Sequence, residues 1–302
     1  MLNKPNILII GGSSFVAKSF ISLNKGNYDI KLVSRSKTNN APEFIIDNFK
    51  LIPEELFQGV DFVFNCAAVV HQKKELPDSY YQEINYELAV DLAQKSKKNG
   101  VKGFIQLSTI AVYGNTSIIN FETIPCPINS YGSSKLMADK HLLEMADDNF
   151  NVSVLRPPMI YGGKNAPGNM MRLIGLVNKG FPLPFKNAIH KKDFLNVHNL
   201  VAYMEAAILN NKTNVYLLKD NNGISTFDLI HLIGDKLGKR IIQFSIPEFA
   251  IKLIRKFKPE IFDKLYGGLQ IDSGKTNMIL QINPNKTINE GIDEMVSDFR
   301  NK

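Results

Sequence analysis

The chain has 302 residues, 44% of them hydrophobic and 22% charged, a composition that is ordinary for a globular protein and excludes a disordered one. Its two cysteines, Cys66 and Cys126, are too few for a disulfide framework, and the sequence has no CxxC or Cys/His cluster, so we expect no metal site and a cytoplasmic location. The formal charge of +7 comes from scattered lysines and, without a recognisable nucleic-acid-binding motif, favours a small diphosphate ligand over a nucleic acid.

The first half of the chain alternates short apolar strands with amphipathic helices. The pattern predicts strands over 7–10, 29–34, 44–47, 61–65, 103–108 and 152–156, and helices over 15–23, 82–98 and 131–146. Apolar strands separated by helices favour a parallel sheet covered on both faces, and right-handed crossovers make such a sheet doubly wound. We therefore expect an α/β fold built on a Rossmann-like, doubly wound parallel sheet. No apolar run reaches the ~18 residues that a membrane span needs.

The regular alternation ends after Arg156. Prolines and glycines accumulate from Pro157 onward, and shorter helices follow towards the C-terminus. This change of pattern predicts a large domain over residues 1–156 and a smaller C-terminal lobe over residues 157–302, with some segments of the lobe returning to the large domain.

A turn of small residues joins the first predicted strand to the first helix. Its sequence, G-G-S-S-F-V, covers residues 11–16. Glycines permit a tight turn there, and the helix N-terminus offers free N–H groups to phosphates. The motif departs from G-x-x-G-x-x-G, because Ser14 and Ala17 replace the second and third glycines. We interpret residues 1–156 as a dinucleotide-binding domain whose pyrophosphate contacts are Gly11, Ser13, Ser14, Phe15 and Val16.

The second predicted strand ends in hydroxyl and basic residues. Ser34, Arg35, Ser36 and Lys37 stand where an acidic residue would accept hydrogen bonds from the ribose 2′-hydroxyl of NAD. Arginine and lysine instead suit a 2′-phosphate. We therefore favour NADP(H), with Ser34 and Arg35 at the ribose. NAD(H) is the alternative, in which Arg35 stacks on adenine or faces solvent.

A tyrosine and a lysine open the helix predicted at 131–146. Tyr131 and Lys135 share one helical face. A lysine ammonium near a phenol is expected to lower the pKa of the phenol, so that it exchanges a proton near neutral pH. The preceding strand ends in S-T-I-A-V-Y-G, residues 108–114, whose hydroxyl can orient a substrate oxygen. With the phosphate turn, this spacing indicates an oxidoreductase site.

These motifs make the chain similar to the extended short-chain dehydrogenase/reductase superfamily, in the NAD-dependent epimerase/dehydratase family that modifies sugar nucleotides. The resemblance extends over nearly the full length and includes N-C-A-A (65–68), Y-G-S-S-K (131–135), R-P-P-M-I-Y-G (156–162) and K-D-F-L-N-V-H-N-L (192–200). It implies a catalytic triad of Thr109, Tyr131 and Lys135, the lysine also being a cofactor ligand. It further implies cofactor contacts at Asp47, Asn48, Ala67, Ala68, Asn85 and Pro158.

The family contains 4-epimerases, 4,6-dehydratases and 4-keto reductases. Its soluble dehydratases follow the catalytic threonine with Asp-Glu, whereas Thr109 is followed by Ile110 and Ala111, which cannot transfer protons. A dehydratase is therefore disfavoured. The expected NADPH preference favours a reductase, and the second half of the chain resembles bacterial reductases of UDP-2-acetamido-2,6-dideoxy-4-keto-hexoses, which form UDP-N-acetylquinovosamine or UDP-N-acetylfucosamine for O-antigen and capsule. A 4-epimerase of UDP-GlcNAc or UDP-glucose with bound NAD is the alternative.

The predicted lobe carries candidate contacts for a UDP-linked sugar. Asn169 and Arg172 lie one helical turn apart, and Lys192 belongs to a basic stretch, all of which suit a diphosphate. Pro184 ends the apolar run F-P-L-P, which resembles the uracil-binding segment of the family. Thr109 and Tyr131 would contact the sugar itself. The resemblance also implies a homodimer formed through the helices at 82–98 and 131–146.

Two further features are expected to be structural. The stretch 247–257 is amphipathic and interspersed with basic residues, and we favour a lobe helix packed on the core over a helix bound to a membrane surface. His71, after the fourth strand, is expected to support the fold rather than the chemistry.

Overall fold

The computed structural model describes residues 4–70, 76–258, 262–263 and 265–301. The strands, in chain order, are β1 (Asn6–Ile10), β2 (Asp29–Ser34), β3 (Glu43–Ile45), β4 (Phe62–Asn65), β5 (Gly103–Leu107), β6 (Ile118–Ile119), β7 (Asn151–Arg156), β8 (Ile160–Tyr161), β9 (Lys191–Lys192), β10 (Leu195–Asn196), β11 (Asn214–Leu217), β12 (Ile224–Ser225) and β13 (Gln270–Ile271). The α-helices are α1 (Phe15–Leu23), α2 (Asp78–Tyr81), α3 (Leu88–Lys98), α4 (Ser130–Glu144), α5 (Asn169–Asn178), α6 (Val197–Asn210), α7 (Thr226–Leu237), α8 (Glu248–Phe257), α9 (Gly274–Leu280) and α10 (Ile288–Arg300).

Seven strands form the central sheet, in the order β3-β2-β1-β4-β5-β7-β11. Every pair in it is parallel. The chain starts at β1, the third strand from one edge, continues outward through β2 to β3, and then returns past β1 to add β4, β5, β7 and β11 on its other side. This order is that of a doubly wound Rossmann-like sheet, so the predicted fold class is confirmed. The strand β11 comes from the second half of the chain and adds to the edge formed by β7.

Alternation along each strand explains the two layers of helices. In β1, Ile7 and Ile9 contact one hydrophobic cluster, which contains side chains of α1 and α6 such as Phe20 and Tyr203. Leu8 and Ile10 contact the cluster on the opposite face, which is formed with α3 and α4. Successive side chains of a strand point to opposite faces, so a strand that is apolar throughout is covered on both sides.

The predicted helix at 82–98 has a more complex form in the structure. It consists of α2, a π-helical turn over Gln82–Glu87 and then α3. The predicted helix at 131–146 corresponds to α4. The other predicted elements of the large sheet agree with the observed ones within one or two residues at their ends.

A third hydrophobic cluster builds the smaller lobe. It gathers apolar side chains of α5, α7 and α10, including Ile174, Ile230 and Ile292. Phe15, at the N-terminus of α1, is half-buried and packs against both this cluster and the one beneath the large sheet. The two hydrophobic clusters therefore meet at the turn between β1 and α1.

The expectation that the stretch 247–257 packs its apolar side on the core is wrong for the largest side chains of that side. The helix α8 forms over Glu248–Phe257, but none of its residues is buried. Phe249, Leu253 and Phe257 are large apolar side chains that face solvent. In the part of the chain that the structure describes, no helix combines the length and apolarity needed to cross a bilayer.

Candidate active site

The turn after β1 has the backbone geometry that close approach of a phosphate requires. Gly11 has φ of 83°, in the left-handed region that favours glycine. A Cβ at this position would lie 2.8 Å from the backbone nitrogen of Ala67, so no larger residue fits. The chain therefore passes directly beside the loop that follows β4.

The remaining residues of this turn begin α1. The Ser14 hydroxyl caps the helix by accepting a hydrogen bond from the Ala17 N–H at 3.2 Å, and it keeps its own hydrogen to donate. Ser13 is half-exposed. The side chain of Val16 is buried in the core. Of the groups on Val16, only the backbone N–H can therefore contact a phosphate. The helix N-terminus supplies the positive end of its dipole at the same point.

The first residue of β3, Glu43, places a carboxylate beside the end of β2 that sequence reasoning missed. Ser34 is buried, and its hydroxyl donates to the Glu43 carboxylate at 2.7 Å. The Thr38 N–H donates to the same carboxylate at 2.8 Å, and hydrogen bonds of this kind lower the pKa of Glu43 although desolvation opposes them. Arg35 is exposed, with its guanidinium carbon 5.9 Å from the centre of the Phe49 ring. A negative charge and a positive one therefore stand at the predicted ribose site.

Buried amides hold the loop after β4 in place. Asn65 donates to Gln106 at 2.8 Å and accepts from the Ala67 N–H at 3.2 Å. Asn85, from the π-helical turn, exchanges hydrogen bonds with the backbone of Val69 at 2.8 and 3.0 Å. It also donates to the Ser134 hydroxyl at 3.1 Å. Asn85 thus connects the loop after β4 to α4. The side chain must both donate and accept hydrogen bonds to do this, which explains why an amide is needed at this position.

The remaining predicted cofactor residues differ in exposure. Asp47 and Asn48 are exposed beyond β3, and the Asn48 side chain accepts from the Lys50 N–H at 3.0 Å. Ala68 is exposed while Pro158 is buried after β7. His71 lies outside the described residues.

Thr109 and Tyr131 lie at the carboxyl edge of the sheet. Thr109 follows β5 and its hydroxyl accepts from the Ala111 N–H at 3.1 Å, while Asn129 caps α4 and so fixes the start of the helix that carries Tyr131. Burial raises the pKa of Tyr131 to about 12, Asp139 adds to this, and a hydrogen bond with Thr109 acts in the opposite direction. The expectation that the pKa of this phenol is lowered is therefore wrong for the protein alone, because desolvation of the buried phenol raises it.

Lys135 is buried one turn after Tyr131. Its side chain is 1% exposed, and its Nζ has no hydrogen-bond partner among the described residues. Burial lowers the pKa of Lys135 to about 8, although Asp139 and Cys66 favour the charged form. A buried amine without a hydrogen-bond partner can donate hydrogen bonds to a ligand without first breaking bonds to water or protein.

A buried polar network lies beneath this lysine. Asp139, one further turn along α4, accepts from the Ser108 hydroxyl at 2.8 Å and from Arg156 Nε at 3.0 Å. Arg156 also donates to the Tyr113 hydroxyl at 2.7 Å. Burial raises the pKa of Asp139, although Arg156 and Lys135 oppose this shift. The network connects β5, β7 and α4, the three elements that position Thr109 and the tyrosine–lysine pair.

The predicted substrate residues fall into separate parts of the lobe. Arg172 donates to the Asn169 side chain at 3.4 Å, and both side chains are exposed at the start of α5. Pro184 is half-buried, and its carbonyl accepts from the Tyr266 hydroxyl at 2.7 Å. Burial lowers the pKa of Lys192 to about 8, while Asp263 opposes this shift. Of these predicted residues, Asn169 and Arg172 contact each other directly.

The residues present fit a dinucleotide. The turn at Gly11 leaves no room for a Cβ, the first turn of α1 presents backbone N–H groups, and Lys135 places an unpartnered buried amine beside Tyr131. Diphosphate oxygens and ribose hydroxyls are acceptors that such donors bind. Within the described residues no group of three or more His, Cys, Asp or Glu side chains could hold a metal ion.

Comparison with known proteins identifies the family. The sequence model of the NAD dependent epimerase/dehydratase family matches residues 7–218. The chain belongs to this family. The resemblance seen in the motifs is thereby confirmed, as is the expectation of an enzyme. The subgroup within the family is a separate question.

Individual relatives cover nearly the whole chain. The protein is 31% identical to a UDP-glucose 4-epimerase from Vibrio cholerae, over 97% of this chain and 95% of that protein. It is 26% identical to the N-acetyl-alpha-D-glucosaminyl-diphospho-ditrans,octacis-undecaprenol 4-epimerase of Escherichia coli O157:H7, over 87% and 81%. A UDP-glucuronic acid 4-epimerase from Bacillus cereus, solved in complex with NAD, has the same fold, with a TM-score of 0.79 at 19% identity over 98% of this chain and 96% of that one.

Sequence reasoning missed two residues of this region. Asp139 lies four residues after Lys135 on the same helical face, and an acidic residue there was a readable signal of a buried pair. Glu43 gave no such signal, because it lies nine residues from Ser34 and meets it through the pairing of β2 with β3.

Proposed function

We propose that the protein is a UDP-hexose 4-epimerase that uses NAD. The observation that carries this proposal is the Glu43 carboxylate, which accepts a hydrogen bond from Ser34 at the end of β2. A carboxylate there repels a 2′-phosphate. The cofactor that fits best is therefore NAD, which an epimerase retains because it returns the hydride to the same sugar. The names of the relatives from Vibrio cholerae and Escherichia coli are consistent with this reaction.

The chemistry of the proposal rests on three side chains. A bound nicotinamide would supply reversible hydride transfer at carbon 4 of the sugar. Tyr131 takes the proton of the 4-hydroxyl and later gives it back, while the Thr109 hydroxyl, its hydrogen-bond partner, orients the same oxygen. A phenol whose pKa is about 12 becomes a base once positive charge comes near it, and Lys135 binds ribose hydroxyls with its unpartnered amine.

Contacts to the substrate are part of the same proposal. Asn169 and Arg172 would bind the diphosphate together with Lys192, and Pro184 would lie at the uracil. Ile110 and Ala111 follow Thr109, so the site lacks the acid and base that elimination of water requires.

The family resemblance also leads us to expect a homodimer, and light scattering of the protein in solution measures this directly.

A second candidate is the NADPH-dependent reduction of a UDP-2-acetamido-2,6-dideoxy-4-hexulose. The observation that favours it is the pair of exposed cations, Arg35 and Lys37, at the same end of β2. In that reaction Tyr131 donates its proton to the 4-keto oxygen as the hydride reaches carbon 4, and a protonated phenol is the form that its pKa of about 12 maintains.

The test compares the two reactions in parallel. The protein is incubated with UDP-glucose or UDP-GlcNAc and NAD, and separately with NADPH and the 4-keto sugar that a 4,6-dehydratase produces. Proton NMR of the first mixture should show the 4-epimer. NADPH oxidation in the second mixture, with no epimer in the first, would replace the epimerase by the reductase.

A matched pair of variants tests the site in either reaction. Tyr131→Phe removes the proton carrier, and we expect kcat to fall about 10²-fold to 10⁴-fold. Tyr28→Phe removes a half-buried phenol that directly precedes β2, at the amino edge of the sheet and opposite the edge where Tyr131 lies, and should leave kcat unchanged. Equal activity of the two variants would contradict the role of Tyr131.

A further inference from the structure

The helix α8 exposes a continuous apolar stripe. Phe249, Leu253 and Phe257 are 68%, 50% and 69% exposed. They are spaced four residues apart, so they lie along one side of the helix. Ile251 and Ile254, on the other side, are half-buried. The helix therefore contacts the protein through its second side and turns the large side chains of the stripe away from it.

Lysines accompany this stripe. Lys252 and Lys256 precede Leu253 and Phe257 by one residue each, so they flank the stripe along one edge. Both are exposed, and Lys256 Nζ lies 5.6 Å from the centre of the Phe257 ring. Lys258 follows the helix and is exposed as well. Glu248, the one acidic residue of α8, pairs with Lys252 at 3.1 Å.

We propose that α8 docks the protein on an anionic phospholipid bilayer. A helix with aromatic and aliphatic side chains on one side and lysines beside them lies in the membrane interface, its apolar side among the acyl chains and its cations among the phosphates. The helix has 10 residues, which gives a length of about 15 Å and is too short to span. In this proposal α8 lies parallel to the bilayer and contacts it with its apolar side.

Charge favours a bilayer over a second copy of the chain as the occupant of this surface. Two copies joined through α8 in antiparallel orientation would place the Lys252 and Lys256 of each along the same edge of the contact as those of the other, and like charges close together oppose association. An anionic bilayer presents the opposite charge to the same lysines. The formal net charge of +7 acts in the same direction.

Arg255 is not part of the docking surface. Its guanidinium carbon lies 5.5 Å from the centre of the Phe262 ring, on the side of α8 away from the stripe. Arg255 also lines a cavity of about 420 Å³ together with His190 and Lys191. The docking surface consists of Phe249, Lys252, Leu253, Lys256, Phe257 and Lys258.

Vesicle sedimentation of the full chain tests the proposal. Sucrose-loaded vesicles of phosphatidylcholine and phosphatidylglycerol at a ratio of about 3:1, in about 0.15 M salt, should pellet the protein, and vesicles of phosphatidylcholine alone should pellet much less. F249S/F257S should abolish sedimentation. K252Q/K256Q should lower the partition coefficient about tenfold or more.

Matched variants separate the helix from general surface properties. L209S/M278S removes two apolar side chains that are 83% and 78% exposed in α6 and α9, and K31Q/K212Q removes two exposed lysines elsewhere. Both should pellet as the unmodified protein does. Since all of these side chains are exposed, the melting temperatures should agree.

Three results would overturn the proposal. The first is the absence of sedimentation with anionic vesicles, and the second is equal loss of binding in the α8 variants and their controls. The third is a dimer in light scattering that F249S/F257S converts to a monomer while vesicle binding is absent, because the stripe would then be covered by a second copy. The activity measured on UDP-sugars does not enter these outcomes, so the test is independent of the proposed function.

Discussion

Asp139 Oδ2 accepts a hydrogen bond from Arg156 Nε at 3.0 Å, in a pair whose side chains are 0% and 7% exposed. The pair joins α4 to β7 beneath Lys135. Breaking it by removal of one charge leaves the other buried without compensation. The helix that carries the proposed catalytic residues is thus connected to the sheet by a charged contact that tolerates little change.

Asp139→Asn should therefore destabilise the protein strongly. We expect a loss of about 3–5 kcal/mol in the free energy of unfolding, because Arg156 keeps its buried charge. The matched control is Glu54→Gln, which breaks the surface pair between Glu54 and Lys98, 39% and 71% exposed, and should cost less than about 1 kcal/mol. Urea denaturation measures both, and similar losses would show that the buried pair has no special role.

The buried ammonium of Lys135 makes stability depend on pH. Its pKa is about 8 in the folded protein, against 10.5 as the reference, so between these values the unfolded chain binds more protons. The free energy of unfolding should therefore rise with pH from about 8 to 10.5. The shift corresponds to about 3 kcal/mol.

Lys135→Met isolates this contribution. It removes the charge at similar volume, so the variant should be more stable than the unmodified protein at pH 7, and the difference should shrink as the pH rises through 8 and towards 10. Urea denaturation at several pH values gives this difference directly. A difference that does not change with pH would mean that Lys135 is not held as a buried ammonium.

Two glycines with similar backbone angles separate strain from steric exclusion. Gly11 and Gly26 have φ of 83° and 87°, but a Cβ meets the backbone of Ala67 at the first and nothing within 4 Å at the second. Gly26→Ala should cost about 1 kcal/mol from the backbone angle alone. Gly11→Ala should cost about 3 kcal/mol and abolish binding of NAD, because the phosphate turn must also move. Calorimetric titration should detect binding of NAD to the Gly26→Ala variant and none to the Gly11→Ala variant. Binding of NAD to both variants would contradict this account.

Glu43 should decide between the two cofactors. Glu43→Gln removes the negative charge while it keeps an acceptor for Ser34 and Thr38, so we expect the affinity for NADPH relative to NADH to rise about tenfold. Arg35→Gln should change the ratio in the opposite direction. Glu144→Gln, which changes an exposed carboxylate at the opposite end of α4 from Tyr131, is the control. Fluorescence titration with both nucleotides measures the ratio, and no change in Glu43→Gln would remove Glu43 from the cofactor site.

The sequence by itself determined the layered fold and the candidate site residues along it. Apolar strands such as Ile7–Ile10 are visible because burial on both faces demands an apolar residue at every position. Gly11, Tyr131 and Lys135 were readable because their chemistry depends on spacing within one turn or one helix. The spacing of residues within one turn or helix can be read directly from the sequence, so predicting it requires no knowledge of the tertiary structure.

The tertiary structure decided everything that depends on distant residues meeting. The Ser34–Glu43 contact follows from the register of two strands. The pKa of Tyr131 rises because the fold buries its phenol. The stripe on α8 faces solvent although its periodicity is that of a packed helix. An amphipathic pattern specifies that a helix has an apolar side, but what covers that side is set by the packing of the rest of the chain.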